Sequence, residues 1–184
     1  WLLLAFNGLA ALLYCVAPIF NGFFRDRLNM IFCRPVAFLG ALLGTSIIVY
    51  LPVAITVGPL KWIGFGPFNA QAGRIMLYLL YFFTGAAVGA NGIERSVFKT
   101  DGTLAKRWRE FVTVGLMSFT VFIMMVAVVT PMERTVVSEI AFVVCCWANV
   151  SGITGLFLRF AKQRVRLFDS LSENAYGIYI VHWV

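Results

Sequence analysis

The sequence predicts an all-α fold, a multi-pass transmembrane helix bundle. Of the 184 residues, 61% are apolar and 12% are charged, and the mean hydropathy is +0.88. Soluble domains are about 45–50% apolar and about 25% charged, so this chain has too few charges to cover a water-facing surface. Apolar stretches also recur along the chain, with basic residues gathered between them. These observations exclude a soluble globular enzyme, a disordered segment and a disulfide-stapled secreted module.

Five stretches are long enough to cross a bilayer, which takes about 20 mostly apolar residues. A sixth begins near Asn174 and continues to Val184. Lipid cannot hydrogen-bond to the backbone, so each stretch is predicted to be a helix. Because both chain ends fall in apolar runs, we expect residues 1–184 to be one domain truncated at both ends. The five predicted spans are Trp1–Phe20, Val36–Val57, Arg74–Ile93, Phe111–Pro131 and Ile140–Phe160.

The basic residues predict which side of the membrane each connection occupies. The first, third and fifth connections, with the adjacent helix ends, hold twelve Lys and Arg, whereas the others hold three. Short loops rich in Lys and Arg stay in the cytoplasm. We therefore expect loops 21–35, 94–110 and 161–173 to be cytoplasmic. The outer loop Gly58–Gly73 is rich in Gly and Pro, which argues against a helix and leaves either an interfacial loop or a partial lid.

Small residues four positions apart and polar residues within spans are the features expected to organise the bundle. Gly40 with Gly44 and Gly85 with Gly89 are typical of close helix contacts in membranes. Asn149 lies in the fifth span, where a polar side chain either bonds between helices or lines a polar cavity. All eight acidic residues are expected to lie outside the span cores, which disfavours a proton pump or a cation-coupled transporter.

The sixth span has the richest chemistry. Tyr176, Tyr179 and Trp183 follow one another at spacings of three and four, and His182 is the one histidine of the chain. Its imidazole lies about 12 Å along the helix from Asn174 at 1.5 Å per residue, within the hydrocarbon. There it either acts as a base or hydrogen-bond donor or is a buried histidine satisfied by a carbonyl.

The basic residues on the predicted cytoplasmic side form two clusters, and two functions are possible for them. They either hold the phosphates of a cofactor such as coenzyme A or contact anionic lipid. The sequence has none of the common nucleotide, hydrolase or zinc-protease motifs. No metal is expected. The clusters are Lys106, Arg107 and Arg109, and Lys162, Arg164 and Arg166.

The late helix resembles that of the bacterial membrane acyltransferase-3 family, multi-pass sugar O-acyltransferases that include glucan succinyltransferases. The resemblance rests on Leu171-Ser172, on Tyr176-Gly177-Ile178-Tyr179 and on His182, with weaker similarity in Tyr81–Gly85. By analogy with that family, the resemblance implies that the bundle has about ten helices. It also implies transfer from a cytoplasmic acyl-CoA to a carbohydrate on the far side. The family's presumed catalytic histidine lies in its first helix, outside this sequence, so residues 1–184 by themselves are expected to be inactive.

The predicted function is therefore that of an inner-membrane O-acyltransferase that moves an acetyl- or succinyl-type group to a periplasmic or surface glycan. His182 is the candidate catalytic residue, and Tyr176, Tyr179 and Asn149 are candidates for substrate binding. Lys162, Arg164 and Arg166 are candidates for binding acyl-CoA. The expected partners are a carbohydrate acceptor and membrane lipid, with no nucleic acid. The alternatives are a multi-pass transporter or flippase for a lipid-linked or acyl substrate, and a membrane scaffold without chemistry.

Overall fold

The computed structural model describes residues 2–16, 34–65, 68–91, 97–128, 136–161 and 170. Helices dominate these residues, and two short strands form the sole sheet among them. A 3₁₀ turn, Ala72–Arg74, precedes the third helix. The elements in chain order are α1 (Leu2–Val16), α2 (Pro35–Val57), β1 (Trp62–Phe65), β2 (Phe68–Gln71), α3 (Ile75–Asn91), α4 (Thr103–Lys106), α5 (Trp108–Val128) and α6 (Val136–Phe160).

Four of the predicted spans are confirmed as helices that are long and apolar enough to cross a membrane. They are α2, the segment Ala72–Ala90 that contains most of α3, α5 and α6. The first predicted span, Trp1–Phe20, contains α1. Its 15 described helical residues are fewer than the roughly 20 that cross a bilayer. The sixth predicted span lies outside the described residues. The chain is therefore a membrane protein with a helical bundle.

The surface of α5 shows how the bundle meets lipid. Only Gly115 of its 21 residues is buried. Leu116 is 61% exposed, and Met117 and Met124 are similarly exposed. Isolated exposed apolar residues are ordinary on soluble proteins, whereas a continuous apolar helix face marks a membrane or interaction surface. The exposed side of α5 is thus suited to lipid or to a further helix.

The helices α5 and α6 pack as a close antiparallel pair through glycines. A Cβ built on Gly115 would lie 3.0 Å from the side chain of Asn149, and one built on Gly152 would lie 3.0 Å from Val112. A Cβ built on Gly155 would lie 3.1 Å from the Trp108 side chain of α5 and 2.7 Å from the carbonyl oxygen of Leu104 in the preceding short helix α4. Small residues let the two backbones approach closely. In a membrane, where no hydrophobic effect drives helices together, such close packing helps to hold them in contact.

The small-residue pairs chosen from the sequence are not the ones that make this contact. Among the described residues, no atom lies within 4 Å of a Cβ built on Gly40, Gly44, Gly85 or Gly89. The prediction of close packing at these pairs is therefore wrong for the part of the bundle that the structure describes. Spacing alone identifies a groove on a helix, but which grooves receive a neighbour depends on the tertiary arrangement.

The outer loop between α2 and α3 forms an antiparallel β-hairpin. Trp62 pairs with Gln71, and Phe65 pairs with Phe68. The helix α2 ends at Gly58, which has φ +93°, a conformation that glycine adopts without strain. The Ala72 N–H donates to the Lys61 carbonyl at 2.9 Å and closes the base of the hairpin. The sequence excluded a helix here correctly but did not predict the strands.

The bundle has two ends that differ in charge. The hairpin end contains the end of α2 and the starts of α3 and α6. The basic end contains the start of α2, the end of α3, residues 97–107 and the end of α6. Contacts such as Trp147 with Leu39 near one end and Tyr50 with Glu139 near the other show that α2 and α6 are antiparallel.

Candidate functional site

A cavity of about 250 Å³ lies toward the basic end of the bundle. It is enclosed by the first turns of α2, the second half of α3, residues 97–104 and the second half of α6. The lining is mostly apolar, with a few hydroxyl groups. The lining residues are Phe38, Leu39, Leu42, Tyr81, Thr84, Gly85, Val88, Phe98, Leu104, Val150, Ser151 and Thr154.

The wall of this cavity is built on a packed core. Phe38, Leu39, Val88 and Leu104 are buried and form one hydrophobic cluster. The indole N–H of Trp147 donates to the Leu39 carbonyl at 3.0 Å and joins α6 to α2 beside it. Binding sites are usually preformed, mainly apolar hollows with a few polar groups, and this cavity has that character.

Tyr81 lines the cavity with its ring, while its hydroxyl lies in the packed interior beside it. The hydroxyl oxygen is buried and makes no hydrogen bond among the described residues. The Ser46 hydroxyl donates to the Leu42 carbonyl at 2.7 Å. Buried hydroxyl groups are nearly always hydrogen-bonded, so the Tyr81 hydroxyl is an exception that belongs to the core and not to the open surface of the cavity.

Exposed basic residues surround the basic end. Arg107 makes an ion pair of 3.8 Å with Glu110, but both side chains are more than half exposed, so the pair is weak. Two acidic residues, Asp101 and Glu110, are exposed at the same end. The exposed basic residues there are Arg34, Lys99, Lys106, Arg107, Arg109 and Arg159.

A second polar group lies at the hairpin end. The Tyr50 hydroxyl donates to a carboxyl oxygen of Glu139 at 2.5 Å. Tyr50 is fully buried and Glu139 is 4% exposed. The Arg74 guanidinium stacks on the Phe142 ring, with its central carbon 4.4 Å from the ring centroid. We refer to Tyr50, Arg74, Glu139 and Phe142 as the hairpin-end cluster.

This cluster places one acidic residue inside a helix that is long enough to span the membrane. The fifth span was predicted to begin at Ile140, whereas α6 begins at Val136 and includes Glu139 in its first turn, at the end of the helix and outside its centre. Buried ionisable groups in membrane segments are rare and are usually paired or functional. Part of the cost of burying Glu139 is offset by the hydrogen bond that the Tyr50 hydroxyl donates to it.

Tyr81 lies between the two polar regions. Its ring packs against the core cluster that contains Tyr50, Leu77 and Val143. It also lines the cavity. One aromatic side chain of α3 therefore contacts both the core of the hairpin end and the cavity of the basic end.

Most of the residues chosen as site candidates from the sequence lie outside the described residues. These are His182, Tyr176, Tyr179, Lys162, Arg164 and Arg166. Asn149 is described, and its amide donates to the Cys145 carbonyl at 2.9 Å within its own helix. It faces Gly115 of α5 and is not among the cavity-lining residues. From the same helix, Ser151 and Thr154 do line the cavity.

Sequence reasoning missed Tyr50, Arg74 and Glu139. The sequence did contain a signal for two of them. Arg74 and Glu139 have opposite charges and lie at or immediately before the starts of the third and fifth predicted spans, which begin on the same side of the membrane. Tyr81 was noticed only for the family resemblance, and Gly85 for that resemblance and for its spacing from Gly89; both line the cavity.

Comparisons with known proteins found no match. No family model, no curated protein and no solved structure matches this chain. Functional reasoning therefore proceeds from the residues themselves. Among the described residues, no group of three or more His, Cys, Asp or Glu side chains is arranged to hold a metal ion.

Proposed function

We propose that this membrane protein is an O-acyltransferase, which takes an acyl group from a cytoplasmic acyl-CoA and transfers it to a hydroxyl of a carbohydrate on the opposite side of a bacterial inner membrane. The supporting observation is the apolar cavity next to the basic end. Acyl-CoA combines an apolar acyl group with a negatively charged phosphate portion. A mostly apolar hollow bordered by Lys and Arg matches both parts.

The proposed reaction is an acyl exchange. The acceptor hydroxyl loses its proton as its oxygen attacks the thioester carbonyl. The carbon–sulfur bond then breaks, the ester forms, and the released thiolate of coenzyme A takes up a proton. A base near neutral pKa promotes the first step. His182 is the proposed base, and the mostly apolar lining of the cavity disfavours water as a competing acceptor.

The role of the basic end is tested by removing its charge. The triple variant Lys99→Gln, Lys106→Gln, Arg107→Gln is compared with Lys61→Gln at the hairpin end. Exposed ion pairs contribute about 0.2–1 kcal/mol each, so three of them change the KM for acyl-CoA by about tenfold. The control leaves KM unchanged. Transfer of radiolabelled acyl groups by the membrane-reconstituted protein to a glycan acceptor is the assay. Equal KM values in all three proteins, or neither transfer nor binding of acyl-CoA by any of them, contradict the proposal.

The hairpin-end cluster supports a second candidate function, that of a proton-linked transporter. A buried carboxyl group that accepts a hydrogen bond within a span is a common part of a proton pathway. In proteoliposomes, a transporter would move substrate unmodified, and Glu139→Gln would abolish its dependence on a pH gradient. The control is Glu110→Gln, because Glu110 is exposed at the basic end. Acylated product without substrate accumulation decides for the acyltransferase.

A further inference from the structure

The cavity lining restricts the chemistry of the group that occupies it. Among the described residues of the lining, none is charged, and apart from Tyr81, whose hydroxyl is buried elsewhere, the polar residues are Thr84, Ser151 and Thr154. A carboxylate moved into such surroundings loses its hydration without gaining a counter-charge. Such burial is costly enough that ions in proteins are paired or neutralised. An uncharged acyl group meets no such penalty.

Gly85 leaves part of the cavity open. It lies on α3 in the lining, and a Cβ built there meets no described atom within 4 Å. A larger side chain at this position therefore extends into the open volume without displacing a described neighbour. Leucine also favours a helix more than glycine does, so substitution is compatible with α3.

The size of the cavity sets a limit on chain length. Its volume of about 250 Å³ holds about eight atoms of the size of water, each of which takes about 30 Å³ in the liquid. A leucine side chain at Gly85 adds four non-hydrogen atoms and so fills about half of that space. Short acyl groups still fit, whereas a hexanoyl group does not.

Tyr81 contributes its ring to the wall of the cavity, one helical turn before Gly85. Its hydroxyl oxygen is buried away from the open space and does not reach a group in the cavity. An acyl group therefore contacts mainly apolar side chains on this wall.

From these observations we infer that the cavity binds the acyl group of the donor, that this group is short and uncharged rather than a dicarboxylic acid such as succinyl, and that Gly85 sets its upper size. This inference rests on the proposed acyltransferase function. It narrows the sequence-based expectation, which allowed acetyl-type and succinyl-type groups equally.

The charge part of the inference is tested with donors of equal chain length. The membrane-reconstituted protein is assayed with butyryl-CoA and succinyl-CoA, which share a four-carbon chain. We expect kcat/KM for succinyl-CoA to be at least a hundredfold lower. Equal values for the two donors overturn the inference and leave the acyltransferase function intact. Absence of both transfer and binding for every acyl-CoA overturns the proposed function itself.

The size part is tested with Gly85→Leu and a matched control, Gly89→Leu. Gly89 lies one helical turn further along α3, also has no described atom within 4 Å of a built Cβ, and is not in the lining. Each buried methylene contributes about fourfold to binding. Gly85→Leu is therefore expected to raise the Kd for hexanoyl-CoA at least tenfold and to change that for acetyl-CoA by less than twofold. Gly89→Leu changes neither. Equal effects of the two variants overturn the role of Gly85.

Discussion

The hydrogen bond between Tyr50 and Glu139 is expected to stabilise the hairpin end, and Tyr50→Phe tests this directly. The substitution removes one oxygen and keeps the ring, which packs 5.4 Å from the Phe142 ring. The lost bond is 2.5 Å long and connects two buried side chains. Depriving a buried group of its partner costs about 1–3 kcal/mol. For a protein of this size, 1 kcal/mol corresponds to about 2–4 °C.

We therefore expect the detergent-solubilised Tyr50→Phe variant to unfold about 4–8 °C below the parent protein, taking about 2 kcal/mol for the bond. The measurement is thermal unfolding followed by intrinsic fluorescence. Tyr78→Phe is the control, because Tyr78 lies near the start of α3, at the same end of the bundle as Tyr50, and its side chain is 43% exposed. If the two variants shift the midpoint equally, the bond does not stabilise the bundle.

A double-variant cycle separates this bond from other effects at the site. Glu139→Leu alone leaves Tyr50 without its acceptor, whereas Tyr50→Phe with Glu139→Leu removes both partners. Replacing both members of a buried polar pair is often far less costly than replacing one. The double variant is therefore expected to lose less stability than the sum of the single variants. Strict additivity would show that the two side chains act independently.

Two further predictions concern the helix pair and the sidedness of the bundle. Gly155→Val places side-chain atoms against the Leu104 carbonyl oxygen, which a Cβ would already approach to 2.7 Å. Overpacking of this kind costs about 1–3 kcal/mol, so the variant is expected to lower the unfolding midpoint by about 3–10 °C. The control Gly89→Val faces open space and is expected to leave the midpoint within about 2 °C, on the scale of about 2–4 °C per kcal/mol. Lys61→Cys is expected to react with an impermeant maleimide on intact cells and Lys106→Cys only after permeabilisation, because short basic loops stay inside; labelling of both without permeabilisation contradicts the predicted topology.

The helices could be predicted because their signal is local. Hydropathy over about 20 residues identifies a span without knowledge of its neighbours, and the bounds of α2 from the structure, Pro35–Val57, differ from the predicted range by one residue. The hairpin between α2 and α3 was harder to predict. Its strands pair four residues with four and include Gly64, so neither alternation nor length distinguishes them from an irregular loop.

The cavity could not be predicted because it depends on four separate segments. Leu39, Gly85, Leu104 and Thr154 come together only through the packing of the helices. Gly85 illustrates the limit. Its spacing from Gly89 is typical of helix contact, and yet the same absence of a side chain can equally leave room for a ligand. Only the neighbouring atoms distinguish a packed glycine such as Gly155 from an open one such as Gly85.

The hairpin-end cluster shows why charged residues near span ends are easily misplaced. A shift of four residues in the start of α6 moves Glu139 from a water-facing connection into a buried helix turn. Hydropathy favours the later start because it penalises the carboxyl group, and it takes no account of a partner on another helix. Tyr50, 89 positions earlier, supplies that partner. The burial of Glu139 is therefore a tertiary property. Its cost is offset in part by the hydrogen bond from Tyr50, so replacing one of these two side chains is expected to cost more stability than replacing both.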